Sequence, residues 1–161
     1  MLSVPALPPE PREAIALVSK MHSETLFSGI IGSSLGGYYS MYLHRKYGLP
    51  AALVNPAAKP YELLVDYIGI NTNMYTGEQY EIKAEHMEQL LELKVDRSDL
   101  VLSQLFLLTE SDDETLDYRQ AAENLVGARM YLSRGGDHSY THFSAHLPAI
   151  KNFFDGILLK S

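Results

Sequence analysis

Ser34 stands in the pentapeptide Gly32-Ser33-Ser34-Leu35-Gly36, a G-x-S-x-G pattern set between an apolar run, "TLFSGIIG" (25–32), and a segment of helical character, "LGGYYSMYLHRKYG" (35–48). A serine hydroxyl is a weak nucleophile until a base takes its proton. A strand-to-helix corner lifts such a hydroxyl clear of the backbone, and glycines at Gly32 and Gly36 keep side chains out of the tight turn. In that setting the helix N-terminus lies beneath Ser34, and the Leu35 backbone N–H is available to stabilise an oxyanion. The pattern alone is weak, because it arises by chance in roughly one chain of this length in twenty. The same residues also fit a plain glycine-rich turn in which Ser34 caps a helix.

Two further polar clusters follow apolar runs. "TESDDETLD" (109–117) comes directly after "QLFLLT" (104–109), and "SRGGDHSY" (133–140) directly after "ARMYLS" (128–133). The first offers a carboxylate in Asp112 or Asp113, and the second a histidine, His138, on a turn opened by Gly135-Gly136. An imidazole can take a serine proton when a carboxylate fixes its tautomer and stabilises its charged form. The chain order, Ser34 then Asp112 or Asp113 then His138, is one that acyl-transfer enzymes use. Taken singly, His138 reads more readily as a loop histidine bonded to backbone; the order of the three reverses this in favour of a base.

These residues need elements to hold them. Hydrophobic periodicity predicts a helix over 12–21, a strand over 25–32, a helix over 35–48 stopped by Gly48, and a strand at 51–55 closed by Asn55-Pro56. Residues 56–98 read as a cap-like insertion with helical patterns in "YELLVDYIG" and "EHMEQLLELKV" around a turn-like "NTNMYTGEQY". Strands at 104–109 and 128–133 alternate with helices at 116–125 and 147–159. Such alternation predicts an α/β fold, a mostly parallel sheet with helices on both faces and ligands at the carboxyl ends of the strands.

Composition narrows the partners. The chain has 161 residues, 46% of them hydrophobic and 20% charged, with a net charge of -7 and no cysteine. Thiolate metal sites, disulfides and a cysteine nucleophile are thereby excluded. An acidic chain without a Lys/Arg cluster is a poor match for nucleic acid. The opening lacks the basic and apolar regions of a signal peptide, and no run is long enough to span a membrane, so a cytoplasmic location is expected. His138, His142 and His146 are spaced four apart, yet H-E-x-x-H is absent, and no metal site is expected. His22, His44 and His86 fall in helical surface patterns and are expected to be solvated. Phosphate-cradling glycine motifs are missing as well.

"GIIGSSLGGYYSMYL", "ALVNPAAKPYELLVDYIG", "YTGEQY", "DETLDYRQA" and "GGDHSYTHF" resemble the YqiA-type small bacterial esterase family, a compact branch of the α/β-hydrolases, over nearly the whole chain. The resemblance implies a single α/β-hydrolase domain over 1–161. It further implies a serine hydrolase of small or medium acyl carboxylic esters or thioesters, needing neither metal nor cofactor. Carried over by position, the nucleophile falls on Ser34, the base on His138, and the acid on the first Asp of "DETLD", Asp113. Family members begin with a strand and an "LHGF"-like loop that supplies a second oxyanion N–H. This chain opens instead at "MLSVPALPPEP", which resembles the family's next strand and the loop behind it. It is therefore read as N-terminally shortened, with its first strand paired to the serine-bearing strand or with a homo-oligomer shielding that edge. A non-catalytic, hydrolase-like binding module is the competing expectation.

Overall fold

The computed structural model describes residues 2–73 and 76–159. Its elements run α1 (Pro11–Glu24), β1 (Ile30–Ser33), α2 (Leu35–Tyr47), β2 (Ala51–Val54), α3 (Pro60–Leu63), β3 (Gly69–Thr72), β4 (Gln79–Ile82), α4 (Ala84–Glu92), β5 (Leu105–Glu110), α5 (Tyr118–Asn124), β6 (Arg129–Ser133) and α6 (Phe143–Leu158). They form two compact units. One comprises Met1–Leu26 and Lys59–Lys94, the other Phe27–Ala58 and Val95–Ser161.

The second unit holds a parallel sheet in the order β1-β2-β5-β6. Successive side chains of a strand point to opposite faces, and here both faces are apolar. Ala52, Val54, Phe106 and Leu108 form one core with Ile150 and Phe153 of α6. Ala51, Leu53, Leu105 and Leu107 form the other with Ala121 of α5, Leu125 and Met41 of α2. This is why "AALV" and "LFLL" are unbroken apolar runs rather than alternating ones. Each fully buried Leu or Phe contributes about 1.5–3 kcal/mol.

The register decides where the polar residues end up. Ser33 pairs with Val54, Val54 with Leu108, and Glu110 with Ser133. The carboxyl ends of all four strands therefore present Ser34, Asn55, Glu110 and the segment after Ser133 at a single edge of the sheet.

Local signals explain the helix ends. Gly48, at φ 70°, closes α2 in the left-handed region, its N–H donating to the His44 carbonyl at 2.7 Å. Asp117 caps α5 by accepting the Arg119 amide. In the first unit α1 starts on Pro11, the position where a missing N–H costs nothing. Its Arg12 amide donates to Gln89 of α4, and the Arg12 guanidinium pairs with Glu92 at 2.8 Å.

Several elements differ from expectation. β1 starts at Ile30, five residues later than predicted, because pairing with β2 begins only at Ile30 opposite Ala51. "YELLVDYIG" is not one helix: α3 gives way to a 3₁₀ turn over Leu64–Tyr67, and Gly69, at φ 124°, cannot continue it. "NTNMYTGEQY" lies within an antiparallel hairpin in which β3 pairs with β4, Ile70 opposite Glu81; Met74 and Tyr75 of this stretch lie outside the described residues. Helix α6 begins at Phe143, four residues early, and carries Pro148 in its interior. No strand forms over residues 2–9, where Pro5, Pro8 and Pro9 lack the N–H groups a ladder needs. Among the described residues β1 pairs with β2 alone, as an edge strand whose Ile31 is 42% exposed.

Two histidines expected in solvent are buried. His44, 2% exposed, lies 2.7 Å from the Leu49 carbonyl through Nδ1 and accepts the Val101 amide at Nε2, so one neutral tautomer satisfies both ring nitrogens. His86 is buried as the third residue of α4, where its Nδ1 accepts the Lys83 amide. His22 is half-buried. No described helix is long and apolar enough to cross a membrane.

Candidate active site

Ser34 occupies the corner between β1 and α2 at φ 53°, ψ -119°, a conformation an L-residue adopts only under compulsion. The compulsion comes from its own backbone. The Ser34 amide donates to the Val54 carbonyl at 3.0 Å, and the Ser34 carbonyl accepts from Gly37, Ala57 and Tyr38. Although Ser34 is the N-cap position of α2, its hydroxyl makes no capping bond to the helix. The hydroxyl lies instead 2.9 Å from His138 Nε2.

The glycines divide in role. A Cβ on Gly32 would overlap the Gly36 carbonyl and the Ser40 hydroxyl, and one on Gly37 would lie 2.6 Å from Pro56. A Cβ on Gly36 would meet nothing within 4 Å. The turn therefore requires Gly32 and Gly37, and the expectation that Gly36 is needed for clearance is not met. Leu35 is the first residue of α2, so its N–H is one of the four amides without an acceptor inside the helix.

His138 sits in the segment between β6 and α6. Its Nδ1 lies 2.9 and 3.1 Å from the two oxygens of Asp113, whose side chain is only 2% exposed. Asp113 is fixed in turn by the amides of Thr115 and Leu116, which donate to Oδ1 at 2.9 and 2.8 Å. Asp112 points elsewhere: it is exposed and accepts the Ser111 hydroxyl. Of the two carboxylates the sequence left open, the structure brings Asp113 to His138. With the proton on Nδ1, a neutral imidazole donates to Asp113 and leaves Nε2 to accept the Ser34 hydroxyl. His142 and His146 go to other partners, Glu110 and the Tyr140 hydroxyl. No group of three His, Cys, Asp or Glu among the described residues is placed to hold a metal ion.

The model of the uncharacterised protein family UPF0227 matches residues 1–155. The chain belongs to this family. Solved structures similar to the UPF0227 chain have the α/β-hydrolase fold. The esterase domain of a Rhodothermus marinus protein is 16% identical with TM-score 0.61, the match covering 88% of this chain and 68% of that one. Est1E from Butyrivibrio proteoclasticus is 16% identical with TM-score 0.59, covering 93% and 70%. Mouse alpha/beta hydrolase domain-containing protein 10 is 18% identical with TM-score 0.61, covering 94% and 71%.

Sequence reasoning missed two buried polar residues of the UPF0227 chain at this sheet edge, Asn55 and Glu110. Glu110, with no exposed surface, accepts the amides of Asp137, Thr141 and His142, the Thr141 hydroxyl, and His142 Nδ1 at 2.5 Å. Gly136, at φ 80°, makes room for it, since a Cβ there would overlap the carboxylate. A signal was available: Asn55 directly follows the apolar run of β2, and Glu110 closes β5 after the apolar residues 105–108 and Thr109, at the strand ends where side chains meet the neighbouring loops.

Burial by itself would raise the Glu110 pKa, but the His142 side chain and the Asp137, His142 and Thr141 amides outweigh it and hold the carboxyl down at about 2, against an ordinary 4.5. The unfolded chain therefore takes up this proton first on acidification. The stability Glu110 contributes is complete above pH 4.5 and is lost as the pH falls towards 2. Glu110→Ala leaves these donors without their acceptor, and is expected to destabilise the protein by about 3 kcal/mol, with a correspondingly smaller loss of stability between pH 5 and 3 than the unmodified chain shows. Denaturant titrations of both forms across that range check the size and the sign.

Proposed function

We propose that the protein is a serine hydrolase that cleaves small or medium acyl carboxylic esters or thioesters through an acyl-serine intermediate. The observation that carries this reading is the 2.9 Å approach of His138 Nε2 to a Ser34 hydroxyl held on a strained corner, with Asp113 behind the imidazole. In this scheme Ser34 Oγ attacks the acyl carbonyl carbon while its proton passes to His138 Nε2. Negative charge develops on the carbonyl oxygen, where the Leu35 N–H and the N-terminal end of α2 stabilise it. The tetrahedral species collapses, His138 returns the proton to the departing alkoxide or thiolate, and the acyl group stays on Ser34. Water then attacks the acyl-enzyme, giving a proton to His138. His138 passes that proton to Ser34 Oγ as the bond between Oγ and the acyl carbon breaks, and the carboxylic acid leaves with Ser34 and the neutral imidazole restored. Asp113 keeps the proton of the resting imidazole on Nδ1 and offsets the charge of the imidazolium. Each group in the scheme is a side chain or amide of this chain, so neither metal nor cofactor is assigned. The 56–98 segment is read as an insertion within one α/β-hydrolase domain.

A fluorophosphonate tests the reading, because it reacts with a serine activated in this way. The expected result is a single adduct, mapped by mass spectrometry to Ser34. Labelling on Ser33 would overturn the assignment, and a protein that neither labels nor turns over esters would be a hydrolase-like binding module.

A further inference from the structure

Asn55 directly follows β2 in a buried position at φ 37°, where the Asn-Pro pair of the sequence suggests a turn. Its side chain does more than tolerate that backbone. Nδ2 donates to the Asp137 carbonyl at 3.0 Å and to the carbonyl of His138 itself at 3.2 Å, while Oδ1 accepts the Glu110 amide at 3.0 Å. The Asn55 amide is anchored to the Leu108 carbonyl at 2.9 Å. Glu110 holds the same segment from the other direction through the amides of Asp137, Thr141 and His142. Two strand ends, β2 and β5, thus grip the backbone on both sides of His138. Every hydrogen-bonding atom of the Asn55 amide group has a partner, as a buried polar network requires if it is to be rigid.

We infer that Asn55 is a positioning residue for His138: its carboxamide ties the His138 carbonyl to the strand that follows the Ser34 helix, and so fixes the distance between His138 Nε2 and Ser34 Oγ. This rests on the Ser34, His138 and Asp113 reading above. A base displaced by about 1 Å can lose roughly 10²-fold in rate without any change in the groups that bind substrate. The position is hard to fill otherwise. Aspartate tolerates the positive φ and can still accept the Glu110 amide, yet presents a lone pair instead of a donor to the two carbonyls.

The test uses two variants. Asn55→Asp keeps the backbone tolerance and the acceptor but removes the donor, and Asn55→Gly keeps only the backbone freedom. Hydrolysis of a short-chain nitrophenyl ester is measured per active site, the sites being counted by fluorophosphonate titration, so that misfolded molecules do not enter the rate. Both variants are expected to lose roughly 10²-fold in kcat per titrated site with KM within about threefold of the unmodified value. Their fluorophosphonate capture rates should fall in parallel. The inference is overturned if kcat per titrated site is kept in both variants while only the number of sites falls, since Asn55 would then serve the fold alone. It is equally overturned if KM rises with kcat unchanged. Absence of any Ser34 adduct in the unmodified protein would instead sink the reading on which the inference rests. An unmodified protein that labels, beside variants that keep their rate, would sink the positioning role only.

Discussion

His138→Ala should cost as much ester turnover as Ser34→Ala, about 10⁵–10⁶-fold in kcat, and the double variant should lose no more than either alone. The reason is that the two side chains act as one unit. Without His138 the Ser34 proton has no acceptor within reach, and without Ser34 the imidazole has nothing to deprotonate. Their 2.9 Å contact joins residues 104 positions apart, so the loss is a property of the fold rather than of either loop. His146→Ala serves as the control. That ring hydrogen-bonds Tyr140, and its removal is expected to leave the turnover number near that of the unmodified protein. Steady-state kinetics on the four variants and the unmodified protein checks the pattern, and additive losses from Ser34 and His138 would contradict it.

Asp113→Asn is expected to lower kcat by about 10⁴-fold, while Asp112→Asn leaves it near the unmodified value. The direction follows from how Asp113 is held. The Thr115 and Leu116 amides both donate to Oδ1, so an asparagine at this position keeps its carbonyl oxygen there and places its NH₂ where Oδ2 stood, 2.9 Å from His138 Nδ1. Two donors would then face each other, and the imidazole escapes by moving its proton to Nε2. In that tautomer Nε2 can no longer accept from Ser34. Asp112 contacts Ser111 and faces solvent, so its change touches none of this. Kinetics of the two single variants, with their thermal midpoints, separates the chemical effect from a folding one. A larger loss from Asp112→Asn would transfer the acid role to that residue.

The parts of the molecule legible in the sequence were those with one physical solution. Unbroken apolar runs such as "AALV" and "LFLLT" bury both faces of a strand, and they fit only a sheet covered on each side. Gly48 stops α2 because only a residue at ease at positive φ closes that helix so tightly. The Ser34 corner was visible through Gly32, whose Cβ the turn excludes. What stayed hidden depended on distant partners. Nothing local distinguishes Asp112 from Asp113; the choice is made by where Thr115, Leu116 and His138 fold against them. His44 reads as a surface histidine of a basic helix end, and becomes buried only because Leu49 and Val101 supply bonds to both ring nitrogens. The hairpin formed by β3 and β4 was masked by "YELLVDYIG", whose apolar spacing suits a helix until Gly69 breaks it. Asn55 looked like a turn residue before a proline; as a polar residue closing an apolar run it is marked as a sheet-edge group, but its partners Asp137 and His138, 82 and 83 residues away, are chosen by the fold.

The claim that Ser34 carries the acyl group through the reaction is tested most directly by catching that group in place. The protein is mixed with a short-chain nitrophenyl ester, quenched in acid during turnover, digested and mapped by mass spectrometry. The account predicts that the acyl group caught, at most one per chain, sits on the peptide containing Ser34, is retained when Ser33 is replaced by alanine and is lost in Ser34→Ala. Acylation of Ser33, or ester turnover that survives in Ser34→Ala, would contradict it.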